Sequence, residues 1–165
     1  MNLNVLFMET IVLTLVFNAV VFISLYRNPI WWIHDYPEDI QEEYFKNHER
    51  IPVQPLSKNV IVKKGGAIIL TIIIFILLMK YAGAETFSQG FLGSYFIWLI
   101  ISIWDCVFMD WVLFANIKAI RLPGTEHMDK SYHQKRYHFI RGCFGLLIGV
   151  VPCLITGLGI FFLNR

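Results

Sequence analysis

Residues 91–117 read FLGSYFIWLIISIWDCVFMDWVLFANI, and this run decides the fold class. It carries two charged side chains, Asp105 and Asp110, and no Lys or Arg. A membrane helix needs about 20 mostly apolar residues to cross a hydrocarbon layer of about 30 Å. This run exceeds that length. Three further stretches qualify, at residues 3–26, 66–82 and 139–163. Across the 165 residues, 56% are hydrophobic and 16% charged. An ordinary soluble domain carries about 25% charge, so a soluble domain is excluded. Disordered chains are poor in apolar residues, which excludes disorder. Three cysteines are too few for a disulfide scaffold. The expected fold is all-α: one polytopic membrane domain over residues 1–165, a four-helix transmembrane bundle with a small cytoplasmic cap.

The first span reads as retained rather than cleaved. Met1-Asn2-Leu3-Asn4 has no basic residue, the apolar stretch is too long for a signal peptide, and no small-x-small site precedes Arg27. Lys and Arg are sorted between the two sides. The segment after the first span holds Arg27, Lys46, Arg50, Lys58, Lys63 and Lys64, and the segment after the third holds Lys118, Arg121, Lys130, Lys135, Arg136 and Arg141. The other side holds Lys80 and Arg165. The positive-inside rule places loops 27–65 and 118–138 in the cytoplasm and both termini outside. Trp31 and Trp32 fall where an interfacial aromatic belt is expected.

In the first loop, Asp35-Tyr36-Pro37-Glu38-Asp39 has the composition of a helix start, with Pro in the first turn and acids near the positive helix end. The spacing predicts a helix over 38–47 with Ile40, Tyr44 and Phe45 on one face, and Pro52 and Pro55 ending any helix after Arg50. In the second loop, Leu122-Pro123-Gly124-Thr125 reads as a tight turn. No Pro or Gly follows until Gly142, which predicts a helix running from Glu126 into the fourth span. Residues 118–141 carry a net charge of +4 with Tyr132, Tyr137 and Phe139 interleaved. Lys130, Lys135, Arg136 and Arg141 are therefore candidates for anionic lipid headgroups, at about 1 kcal/mol per base. The alternative is charge that only fixes topology. Nucleic acid is not an expected partner.

Three carboxylates fall inside the expected spans: Glu9, Asp105 and Asp110. Such residues are expensive in a bilayer and face the bundle interior or water. At 100° per residue, Ser94, Asp105 and Asn116 form one stripe, with Asp110 about 140° from Asp105. Thr10, Thr14 and Asn18 form a stripe on the first span. One expectation is a polar pocket with Asn18 facing Asp105, serving a proton, ion or substrate. The other is interhelical hydrogen bonding, worth about 0.6 kcal/mol. In the fourth span, Gly145, Gly149 and Cys153 form a small-residue ridge suited to close packing, within the chain or with another copy or protein partner. Pro152 is expected to kink that helix, with Thr156 nearby to satisfy a freed carbonyl.

All five histidines lie in the two loops. No HxxxH, HExxH, CxxC, GxSxG or phosphate-loop motif occurs, so no metal, cofactor or catalytic residue is assigned. The segments Tyr36-Pro37-Glu38-Asp39-Ile40-Gln41, Trp104-Asp105 with Asp110-Trp111, and Leu122-Pro123-Gly124-Thr125-Glu126 followed by His138 together resemble a pattern in small uncharacterised bacterial membrane proteins with several spans. The resemblance implies a bacterial inner-membrane setting and no activity. Small multidrug transporters share four spans and an acid in the first, but their loops are short. Three functions are open: an accessory, assembly or lipid-interacting protein; a proton- or cation-coupled transporter using the intramembrane acids; and an interfacial metalloenzyme.

Overall fold

The long apolar runs fold as helices because, without water, a backbone must satisfy its own N–H and C=O groups. In the computed structural model the described residues are 1–50 and 58–165, with the side chains of 58–61, 63 and 64 left aside. The elements are α1 (Leu3–Arg27), a 3₁₀ stretch (Pro29–Asp35), α2 (Glu38–Phe45), α3 (Lys58–Tyr81), α4 (Phe87–Trp104), a π-helical segment (Asp105–Phe114), a second 3₁₀ turn (Lys118–Ile120), α5 (Asp129–Tyr132) and α6 (Lys135–Leu163). No strand occurs among the described residues.

Three helical stretches are long and apolar enough to cross a membrane: Leu3–Arg27, Phe87–Phe114 and Asp129–Leu163. The fourth apolar helix, Gly65–Tyr81, is shorter. At 1.5 Å per residue it rises about 25 Å. Large apolar side chains are exposed along all of them, including Met8 and Leu15 on α1, Leu77 on α3, Leu92 on α4 and Leu147 on α6. Helices apolar on every face suit a lipid environment rather than water.

The chain forms two compact units. The first comprises Met1–Leu13, Pro52–Ile101 and Phe144–Arg165; the second comprises Thr14–Ile51 and Ser102–Cys143. The first is built on a cluster of Leu6, Phe75, Met79, Ala84, Ile97, Cys153 and Ile160. Gly149 lets an aromatic ring lie against the α6 backbone: a Cβ there would stand 2.0 Å from the Trp98 Nε1. The same indole donates to the Gly145 carbonyl at 3.2 Å. The glycine ridge is thus covered at Gly149 by this chain's own Trp98, while a Cβ at Gly145 would have no neighbour within 4 Å. Thr156 Oγ1 donates to the carbonyl of Pro152 itself, 2.9 Å away. The carbonyl that lacks a Pro152 N–H partner is that of residue 148, so Thr156 does not fill the role the sequence assigns it.

The second unit is built on Leu25, Ile33, Tyr36, Ile40, Tyr44, Phe114, Ile120, Leu122 and Tyr132. α2 starts at Glu38 as its Pro and acids predict, buries Ile40 and Tyr44, and ends at Phe45, two residues early. Pro52 and Pro55, together with Lys58, Lys63 and Lys64 as side chains, lie outside the described residues. The Leu122–Thr125 turn closes with a Thr125 N–H to Leu122 carbonyl bond of 3.1 Å. Gly124 has φ +85°, the conformation a type II turn needs at its third residue. The continuous helix expected from Glu126 is broken. α5 stops at Tyr132, where the His133 N–H bonds back to the carbonyls of Asp129 and Lys130, and α6 begins at Lys135.

Candidate functional site

The helical stretch Phe87–Phe114 departs from the expected winding at Asp105. From Asp105 to Phe114 the backbone is π-helical. In a π-helix the hydrogen bonds run i to i+5, so a residue sits nearly above the one five before it. Asp105 and Asp110 are five apart. The 140° separation expected from α-helical winding is therefore corrected: both carboxylates lie on one side of the segment, about a turn apart. π-helical turns are rare and cluster at functional sites.

α6 supplies the third member. His138 is buried, and its Nδ1 lies 3.3 Å from Asp110 Oδ2. Its ring meets Phe114 edge-on, with centroids 5.0 Å apart. Its Nε2 is enclosed by protein and has no hydrogen-bond partner. A proton on Nδ1 directed at the carboxylate leaves the lone pair on Nε2. Asp110 and His138 are both close enough to act electrostatically on Asp105. Cys106, beside Asp105, has its Cβ 3.8 Å from where a Cβ on Gly142 would stand.

Around this group the second unit holds a polar framework. The Arg141 guanidinium pairs with the Asp35 carboxylate and also donates to the Tyr137 hydroxyl at 3.0 Å and the His34 carbonyl at 3.3 Å. The Tyr137 hydroxyl donates to the Tyr36 carbonyl at 3.0 Å. Arg141, expected to meet lipid headgroups, has these partners within the chain and is exposed. Lys135 places its ammonium 5.4 Å from the Trp111 ring centroid. Lys130 and Arg136 are exposed. Arg121, read from sequence only as a topogenic charge, is buried. It donates to the carbonyls of Glu126 and Ala115, pairs with Asp129, and lies 4.5 Å over the Tyr132 ring.

The other sequence candidates fall elsewhere. The Asn18 amide donates to the Thr14 carbonyl of its own helix at 2.6 Å, rather than to Asp105. Its Oδ1 is enclosed without a partner. The π winding that begins at Asp105 shifts Asn116 away from the stripe expected for it with Asp105. Ser94 bonds to the Gly90 carbonyl, and the exposed Asn116 bonds to that of Val112. Glu9 lies in the first unit, buried. Among the described residues no three His, Cys, Asp or Glu side chains converge to hold a metal ion. His48 stacks on Tyr44 with centroids 4.1 Å apart, and His133 Nδ1 meets the Asp129 carbonyl at 2.7 Å.

The site has one residue that sequence spacing did not reach. In the sequence, His138 is one of five loop histidines without metal-ligand spacing and part of the resemblance, and nothing there pairs it with Asp110. A five-residue interval between two acids is its sole trace at Asp105 and Asp110, and it means proximity only once π winding is known. No family model, no curated protein and no solved structure matches this chain.

Proposed function

We propose that this chain is a four-span protein of the bacterial inner membrane that moves or senses protons through Asp105, Asp110 and His138. The observation that carries the reading is the π-helical segment, which sets both carboxylates on one side while His138 meets Asp110. Acids at such depth are retained where they serve ion or proton pathways. The spans are residues 3–26, 66–82, 91–117 and 139–163, with both termini outside and the loops 27–65 and 118–138 in the cytoplasm. The asymmetric distribution of Lys and Arg supports that orientation. The shorter second helix is accommodated by modest bilayer thinning, which costs fractions of a kcal/mol per Å.

The test is proton flux into proteoliposomes under an imposed pH gradient. Wild type dissipates the gradient, and Asp105→Asn abolishes the flux while still inserting. Flux unchanged in Asp105→Asn, or absent from wild type, overturns the reading.

A second reading, an accessory protein that binds anionic lipid, is favoured by the exposure of Lys130, Lys135 and Arg136 together with Trp31, which is 70% exposed. Arg141, exposed and paired with Asp35, is the fourth base of that reading. A protein partner or second copy meeting α6 would find Gly145 open and Gly149 already covered. Retention of anionic lipid by native mass spectrometry, lost on neutralising the four bases, supports this role. Equal retention in the neutralised variant removes it.

A further inference from the structure

On α1, Leu6, Glu9, Thr10 and Leu13 share one face, at i, i+3, i+4 and i+7. That face is the buried one. Leu6 belongs to the cluster with Phe75, Met79, Ile97, Cys153 and Ile160, and Leu13 packs against it. Glu9 is 9% exposed, and both its carboxylate oxygens are enclosed without a hydrogen-bond partner. A carboxylate in that setting needs something to offset its charge, because an isolated buried ion is strongly unfavourable.

Among the described residues the neighbouring elements do not supply a cation. The ion pairs among the described residues involve Glu43, Asp129, Asp110 and Asp35, not Glu9. On α3 the described titratable groups are Lys80 and Tyr81, near its C-terminal end. The Lys80 ammonium donates to Asn164, and Tyr81 is exposed. α4 brings Tyr95 and α6 brings Cys153 to the cluster, and neither is cationic. Arg165 lies over the Phe161 ring. A hard metal ion requires a shell of several oxygens. The Thr10 hydroxyl beside Glu9 is donated to the Leu6 carbonyl at 2.7 Å. A proton needs no further ligand.

We propose that Glu9 is a reversible proton-binding site in the first unit, separate from the Asp105–Asp110–His138 group. On loading, an O–H bond forms between a water-derived proton and one carboxylate oxygen, and the side chain becomes neutral. On release the bond breaks and the charge returns. Coupling a buried charge to proton uptake gives this unit its own response to pH, whatever flux passes through the other group.

The test uses the full chain reconstituted in a bilayer, with two measurements. Infrared difference spectra taken across a pH titration report the carboxylic-acid C=O stretch. The expected band grows on acidification, is lost in Glu9→Gln and persists in Asp105→Asn. In parallel, wild-type protein is treated with dicyclohexylcarbodiimide, a reagent that partitions into lipid. The acid O–H adds across one C=N bond, with the proton going to nitrogen and the oxygen to carbon. The acyl group then shifts to nitrogen as a stable N-acylurea, which peptide mass spectrometry locates. The expected adduct sits on Glu9 and falls by about tenfold per pH unit above the titration midpoint. Either the titrating band or the pH-dependent adduct supports the site. Absence of both, or a Glu9 adduct insensitive to pH with no titrating band, overturns it. The wild-type labelling stands even if Glu9→Gln does not fold.

Discussion

The two units bury polar groups in different ways. In the first, Ser94, Thr10 and Thr156 each return a hydroxyl proton to a carbonyl four residues back in their own helix, and Glu9 returns nothing. In the second, polar groups bridge separate segments. The Tyr36 hydroxyl donates to the Ile120 carbonyl at 2.7 Å, Leu122 N–H donates to the Tyr132 hydroxyl at 3.0 Å, and Arg121 ties three segments together. The cause is the supply of backbone. The carbonyls of a regular helix already accept one bond each, whereas turns and 3₁₀ stretches leave more of theirs open. Tertiary links by polar side chains are therefore denser where the chain is irregular; among the helices of the first unit the Trp98 indole supplies one, to the Gly145 carbonyl.

Breaking the links of the second unit is expected to have the largest effect. Arg121→Met strands the carbonyls of Ala115 and Glu126, and should lower unfolding stability by about 3 kcal/mol. Asp129 adds little to that figure, being exposed. Gly149→Val tests the packing of the first unit. Its side chain collides with Trp98, and a loss of about 1–3 kcal/mol is expected in a denaturant titration. Gly145→Ala, with open space at its Cβ, should be close to neutral. If the two glycine variants behave alike, the Trp98 contact is not what fixes α6.

Tyr36→Phe removes one buried bond and should cost about 1 kcal/mol at neutral pH. It also carries a sign. Burial raises the Tyr36 phenol above its ordinary value, with the charges of Tyr132 and Asp35 acting in the same direction. A raised value means the folded chain favours the neutral phenol. That contribution is complete below the unfolded value of about 10 and is lost as pH rises toward the folded one. Stability should therefore fall in alkali for wild type and fall less for Tyr36→Phe, as followed by circular dichroism. Ser94→Ala, which removes a bond to the Gly90 carbonyl of its own helix and a side-chain contact with Cys153, should cost about 0.5 kcal/mol. A larger loss would bring the two units closer together in character than the structure places them.

Much of this contrast is legible in the sequence. The apolar runs give the helices, Pro37 with Glu38 and Asp39 gives the start of α2, and Pro123-Gly124 gives the turn. Those signals are local, written in steric and electrostatic preferences of a few adjacent residues. What the sequence withholds is tertiary. Arg141 and Asp35 are far apart in the chain, and only folding pairs them. The break before α6 has no Pro or Gly to announce it. The π winding at Asp105–Phe114 has no composition of its own, so arithmetic at 100° per residue separated two acids that the backbone brings together. The local bond of the Asn18 amide to the Thr14 carbonyl is likewise not announced by its stripe with Thr10 and Thr14.

The register of that segment is the central claim, and it can be measured directly. Asp105→Cys and Asp110→Cys, combined in a Cys106→Ser background, place two thiols at the carboxylate positions. Thiolates bind soft divalent metals. In the π register the pair lies on one side and binds one cadmium ion per chain, with a thiolate-to-metal absorption band that neither single variant produces. A double variant that binds cadmium no better than the single ones would return the segment to α-helical winding and separate Asp105 from Asp110 and His138.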